Sequence, residues 1–111
     1  TVVTLRAARD AAFAAGDAVA IGKDGGLDLA RRGTDVAGVA LTGAGRDATA
    51  VKIAIAGVVS CTVEDGVTAG ALLGIGAVPG KLAAVEDGAS VARALTAADA
   101  EQRALCLLKA R

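Results

Sequence analysis

Turn-forming residues punctuate this chain at short, regular intervals, and that spacing limits the fold more than any other feature. Reversals are marked at Ala15-Gly16-Asp17, Lys23-Asp24-Gly25-Gly26, Arg32-Gly33-Thr34-Asp35, Gly43-Ala44-Gly45-Arg46-Asp47, Glu64-Asp65-Gly66, Val78-Pro79-Gly80 and Glu86-Asp87-Gly88. Asp-Gly and Pro-Gly pairs supply the positive φ that tight turns require. Between them lie short runs rich in Val, Ile and Leu: Val2–Leu5, Ala18–Ile21, Leu27–Ala30, Val36–Leu41, Val51–Ala56, Val58–Val63, Ala71–Ile75, Lys81–Val85, Val91–Leu95 and Leu105–Lys109. Turn signals every ~8–12 residues with such runs between them predict an all-β fold. The expected architecture is a small barrel or sandwich of short strands, with little or no helix.

Alternation supports the strands. In Val51-Lys52-Ile53-Ala54-Ile55, residues 51, 53 and 55 should face one side and Lys52 the other. Val58–Val63 alternates less cleanly, as a strand covered on both faces does. On propensity alone, the Ala-rich segments Arg6–Ala15 and Thr96–Leu108 could be helical. For the second, an internal repeat favours strand. A shift of about 54 residues sets Ala15-Gly16 on Ala69-Gly70, Ile21-Gly22 on Ile75-Gly76 and Gly26 on Gly80. The alignment continues with Ala30 on Ala84, Ala40-Leu41-Thr42 on Ala94-Leu95-Thr96, Asp47 on Glu101 and Val51–Ala54 on Leu105–Leu108. The chain thus reads as two similar halves, about 13–54 and 67–108, within one domain spanning 1–111. Arg6–Ala15 reads as loop or short helix.

The chain has 111 residues, which suits a single domain. With 29 alanines and 15 glycines, its apolar fraction overstates the surface it can bury. Large aliphatic side chains give about 1.5–3 kcal/mol each when buried, against a backbone ordering cost of about 1–2 kcal/mol per residue. So thin a core leads us to expect support from neighbouring subunits. Twelve basic residues balance twelve acidic ones, whereas nucleic-acid binders cluster Lys and Arg. His, Met, Trp and Tyr are absent and Phe13 is the sole aromatic, which removes base-stacking platforms, His triads and His-ligated zinc. No run approaches the ~18 apolar residues of a membrane span, and no signal-peptide pattern is visible. The first residue, Thr1, is not Met, so we expect a processed or trimmed start and a soluble protein made inside the cell.

Few motifs invite a chemical reading. Gly74-Ile75-Gly76-Ala77-Val78-Pro79-Gly80 has the wrong spacing for a dinucleotide loop, and Pro79-Gly80 suits a hairpin. Gly43-Ala44-Gly45-Arg46 lacks the spacing and the Lys-Ser/Thr pair of a phosphate loop. Asp24 and Asp28 flank glycines but fall short of the six to eight oxygens of a calcium site. Glu64-Asp65 and Glu86-Asp87 precede turn glycines, and neighbouring side chains on a strand point apart, so solvated turns are the simpler reading. Cys61 and Cys106 sit in apolar runs with no adjacent Lys or Arg to activate a thiolate. Buried free thiols are the simpler reading, a disulfide the alternative. Arg31-Arg32, Arg46, Lys52, Lys109 and Arg111 are scattered among acids and should form solvated rims. Thr1–Leu5 should be an ordinary first strand, although it could also add to a partner's sheet edge. We therefore expect no catalytic, cofactor-binding or metal-binding residue. Two rival readings are a small-molecule-binding barrel and an accessory subunit of an enzyme complex in which Cys61 or Cys106 is the nucleophile.

One resemblance adds to this reading. Phe13-Ala14-Ala15-Gly16-Asp17-Ala18-Val19, Thr34-Asp35-Val36-Ala37-Gly38-Val39-Ala40-Leu41, Ala56-Gly57-Val58-Val59 and Gly66-Val67-Thr68-Ala69-Gly70-Ala71-Leu72-Leu73-Gly74 follow one another in the chain. In that order they resemble the small capsid decoration, or cement, proteins of tailed bacteriophages, from about residue 13 to 108. Ala71 stands where that family carries Asp. The resemblance implies a compact β-barrel-like protein that is not an enzyme. Such a protein is made in the host cytoplasm and binds the major capsid protein on the outside of the expanded head, commonly as a homotrimer. It stabilises the virion without cofactor, nucleic acid or membrane.

Overall fold

A computed structural model describes residues 2–8, 11–22, 25–32, 34–45, 50–86 and 90–108. They form ten strands and, among the described residues, no helix: β1 (Val2–Arg6), β2 (Ala18–Ile21), β3 (Leu27–Leu29), β4 (Gly38–Ala40), β5 (Ala50–Ala54), β6 (Gly57–Thr62), β7 (Leu72–Ile75), β8 (Leu82–Ala84), β9 (Ala92–Ala94) and β10 (Arg103–Leu108). Every apolar run picked out by its flanking turns becomes a strand. Thr96–Leu108 resolves into a turn and then β10. Asp99 holds that turn, its Oδ1 accepting the N–H groups of Glu101 and Arg103, each at 2.9 Å. In the 6–15 segment, Arg6 ends β1, Ala7 bridges to Leu27, and Phe13 bridges to Ala44.

The strands form two five-stranded antiparallel sheets, ordered β1-β5-β4-β2-β3 and β6-β10-β9-β7-β8. The second order repeats the first element for element, so each half of the chain builds one sheet. A single parallel bridge near one end of each sheet, Ala7 to Leu27 and Val63 to Leu82, draws the edge strands together. Neither sheet closes, and the architecture is a sandwich of two rolled sheets rather than a barrel. The radius of gyration of 12.6 Å is close to the ~13 Å of a compact chain of this length.

Hydrogen bonds fix the equivalence of the halves. Gly16 N–H donates to Ala40 O at 2.7 Å and Gly70 N–H to Ala94 O at 2.8 Å; Ala37 donates to Val19, and Val91 to Leu73. The offset of 54 holds there but drifts elsewhere. Ile21 faces Leu27 where Ile75 faces Leu82, so a longer second hairpin sets Gly80 on Gly25 and Val85 on Ala30, not Gly80 on Gly26 and Ala84 on Ala30 as the sequence alignment has them. Leu105 N–H meets Thr96 Oγ1 as Lys52 N–H meets Thr42 Oγ1. Val51–Ala54 therefore corresponds to Ala104–Leu107, one residue earlier than the sequence alignment sets it. The connection into β10 is one residue shorter, and alanine-rich sequence conceals such a slip. Asp47, aligned with Glu101, lies outside the described residues. Val51 and Ile53 point inward and Lys52 outward as expected, but Ile55 lies beyond the strand and is exposed.

Each sheet curls over its own interior. In the first half Phe13, Val19, Leu27, Ala40, Val51 and Ile53 pack together. In the second, Val67, Leu73, Leu82, Ala94, Ala104 and Cys106 do so, and their cluster extends to the opposite face of the first sheet. There Ala18 pairs with Val39 and Val39 with Ala54 across β2, β4 and β5. All three are buried. At this seam Thr62 N–H donates to Gly16 O, Ala18 N–H to Gly80 O, and Gly80 N–H to Ala30 O, each at 2.8 Å. Arg103 Nη2 donates to Ala15 O at 2.8 Å.

Gly16 (φ 97°) and Gly80 (φ 83°) are both needed as glycine, for conformation and for space. A Cβ at Gly80 would meet Leu29 Cδ2 at 2.5 Å, and one at Gly16 would meet Arg103 Nη1 at 3.0 Å. Their repeat partners, Gly70 (φ 87°) and Gly25 (φ 84°), have open space at the same point. We expect Gly70→Ala and Gly25→Ala to cost about 1 kcal/mol each from backbone strain. Gly16→Ala and Gly80→Ala should cost a further ~0.5–1.5 kcal/mol, as the ends of Arg103 and Leu29 are pushed off their rotamers. Urea unfolding midpoints of the four variants check this, and equal losses within each pair would contradict it.

Candidate interaction surface

β10 is apolar on both of its faces. Ala104, Cys106 and Leu108 point into the core, whereas Leu105 and Leu107 remain 46% and 45% exposed. Leu107 sits opposite Val58 of β6 on one side and Arg93 of β9 on the other. Val58 is 61% exposed. Leu95, also exposed, donates its N–H to Leu105 O at 2.7 Å. The outer face of the second sheet thus carries an aliphatic strip of Leu95, Leu105, Leu107 and Val58. The sequence reading placed β10 but missed this strip. Its signal was the run Ala-Leu-Cys-Leu-Leu, apolar in both parities, which is the pattern of a strand covered on two sides.

The groups singled out for chemistry do not converge. Gly80 closes the 74–80 segment, but both of its backbone polar groups are engaged at the seam, so it forms no phosphate cradle. Asp28 accepts from the N–H of Leu29 at 2.7 Å and lies 3.8 Å from Arg31, an exposed pair worth about 0–1 kcal/mol. Asp65 Oδ1 accepts from Gln102 Nε2 at 3.0 Å, and Lys81 Nζ donates to Gln102 Oε1. Glu64, its neighbour in sequence, is held through its backbone N–H to Leu82 O. Arg32, Lys52 and Glu86 are exposed. Thr1, Asp24, Arg46, Asp87, Lys109 and Arg111 lie outside the described residues. Among the described residues no three His, Cys, Asp or Glu side chains gather to hold a metal ion.

Gln102 is a residue that sequence reasoning passed over. Among the described residues it alone, apart from glycine, has positive φ, at 59°. Its N–H donates to Asp99 O at 3.0 Å and its carbonyl accepts from Val63 N–H at 2.7 Å. With the Lys81 and Asp65 contacts, it ties the start of β8 to the turn after β6. No local pattern marks it, because the strain is imposed by partners distant in sequence.

Cys61 and Cys106 are free and fully buried. Cys61 pairs with Ala104 in register, which sets it diagonally beside Cys106 on the inner face of the sheet. The Cys61 thiol donates to Val59 O at 3.8 Å and the Cys106 thiol to Ala104 O at 3.5 Å. Full burial shields Cys106, and the neighbouring Cys106 together with burial pushes the Cys61 thiol up from its ordinary value. Such a thiol stays protonated and unreactive at neutral pH. We expect iodoacetamide at pH 8 to label neither cysteine in the native protein and both after unfolding in guanidinium. Rapid native labelling, read by mass spectrometry, would refute this.

No protein-family model matches this chain, and no curated protein matches it.

Proposed function

We propose that this chain is a structural virion protein of the capsid-decoration type, which binds the major capsid protein on the outside of a tailed-phage head. It would bind as a homotrimer and be made in the host cytoplasm. The observation carrying this reading is the outward aliphatic strip of Leu95, Leu105, Leu107 and Val58 on the second sheet. A face of that kind, on strands whose fold does not need it exposed, suits adhesion between large surfaces. The capsid context comes from the order of the segments around Gly16, Val36–Leu41, Gly57 and Gly70, which resembles that family. Modest aliphatic contacts add up when one particle touches several shell subunits at once.

Co-sedimentation with purified, expanded heads of the encoding phage tests the proposal. The wild-type chain should saturate the heads, and Leu105→Asp should weaken binding about tenfold or more, as loss of a central aliphatic contact does. Failure of the folded wild-type chain to bind such heads would overturn it.

A further inference from the structure

The two halves are alike in topology but unlike in what covers them. In the first sheet the Ala18–Val39–Ala54 stripe is buried by the second half. The same three positions in the second sheet are Leu72, Arg93 and Leu107, paired across β7, β9 and β10 in the same way. Arg93 and Leu107 are exposed there and Leu72 is half-buried. The seam glycines repeat this asymmetry. Gly16 is buried at the seam while its counterpart Gly70 is exposed.

The covering elements show the converse. Gly80, buried against Leu29 and Asp17, corresponds to Gly25, which is exposed. Thr62, whose N–H donates to Gly16 O, corresponds to Arg6 at the exposed end of β1. Leu108, 7% exposed, corresponds to Ile55 at 38%, and half-buried Ile75 corresponds to Ile21 at 57%. The seam inside the chain is therefore heterologous: one half supplies a socket and the other a plug. The second half's socket and the first half's plug are both left bare.

We propose that a second copy of this chain docks head to tail. Its Arg6–Gly25–Ile55 end would seat on the Gly70–Leu72–Arg93–Leu107 face in the orientation of the internal seam but farther off, because Leu72 and Arg93 stand where Ala18 and Val39 let the backbones meet. Arg93 Nη1 donates to Gly70 O at 3.1 Å, so the apolar side chains Leu72 and Leu107 on the socket and Ile21 and Ile55 on the plug carry the contact. Open space at Gly25 and Gly70 leaves both surfaces accessible to a second copy, although the Gly25 N–H is held by Gly22 O at 3.0 Å and does not repeat the Gly80 bond to Ala30. Heterologous contacts of this kind give a ring if the rotation closes and a filament if it does not. The inference specifies the self-association in the proposed function but does not depend on the capsid, since it is a property of the isolated chain.

Sedimentation velocity on the purified chain tests it with two exposed-site variants, Leu107→Glu on the socket and Ile55→Glu on the plug. Circular dichroism and melting confirm that each variant folds, and Ile21→Glu serves as a second plug variant. The wild type should self-associate, and each variant alone should weaken association about tenfold or more. An equimolar mixture of Leu107→Glu and Ile55→Glu should form a one-to-one complex and grow no further. That mixture retains one intact socket and one intact plug, which a face-to-face contact could not exploit. A wild type that stays monomeric at its highest soluble concentration would overturn the proposal. So would variants that associate like the wild type, or a mixture that forms no complex.

Discussion

The structure depends on how closely two small-residue backbones approach at the seam between the halves. Each sheet curls over about half a dozen aliphatic side chains, too few for much independent stability at about 1.5–3 kcal/mol apiece. The Ala18–Val39–Ala54 stripe is flat enough to join the second half's interior, and Gly80 threads between Ala18 and Ala30 with both of its backbone polar groups satisfied. No buried side-chain nitrogen or oxygen among the described residues is left without a partner. Alanine and glycine are thus the means by which two thin cores become one, because larger side chains at Ala18 or Gly80 would hold the sheets apart.

Much of this was legible in the sequence because turn chemistry is local. Gly25, Gly66 and Gly80 adopt the positive φ that their Asp-Gly or Pro-Gly settings announce, and Gly16 does so within its Ala-Gly-Asp turn. The runs between such turns had little option but to extend. The order of elements in the repeat was legible for the same reason. Its register was not: Val51–Ala54 matches either Leu105–Leu108 or Ala104–Leu107 in an alanine-rich text, and only the paired Thr42 and Thr96 hydroxyls decide.

The candidate surface was less readable, since exposure is a property of pairs of elements. Val39 and Arg93 occupy equivalent places and their side chains announce which is covered, but nothing in β10 says that Leu105 and Leu107 will be open while Leu108 is buried. The same holds for Gln102, whose strained backbone is fixed by Asp65, Lys81 and Val63 from elsewhere in the chain. The cysteines fell between these cases: their burial followed from apolar neighbours, whereas their diagonal placement required the β6–β10 register.

The unequal covering of two equivalent sheets also bears on how this chain can change over generations. Position 39 is locked, because a side chain there must fit between two sheets. Position 93 has the same backbone surroundings but faces outward, so mutation there leaves the fold intact. A repeated architecture of this sort separates maintenance from contact: the first half keeps the scaffold constant, and the outer surface of the second answers to whatever it meets rather than to the fold.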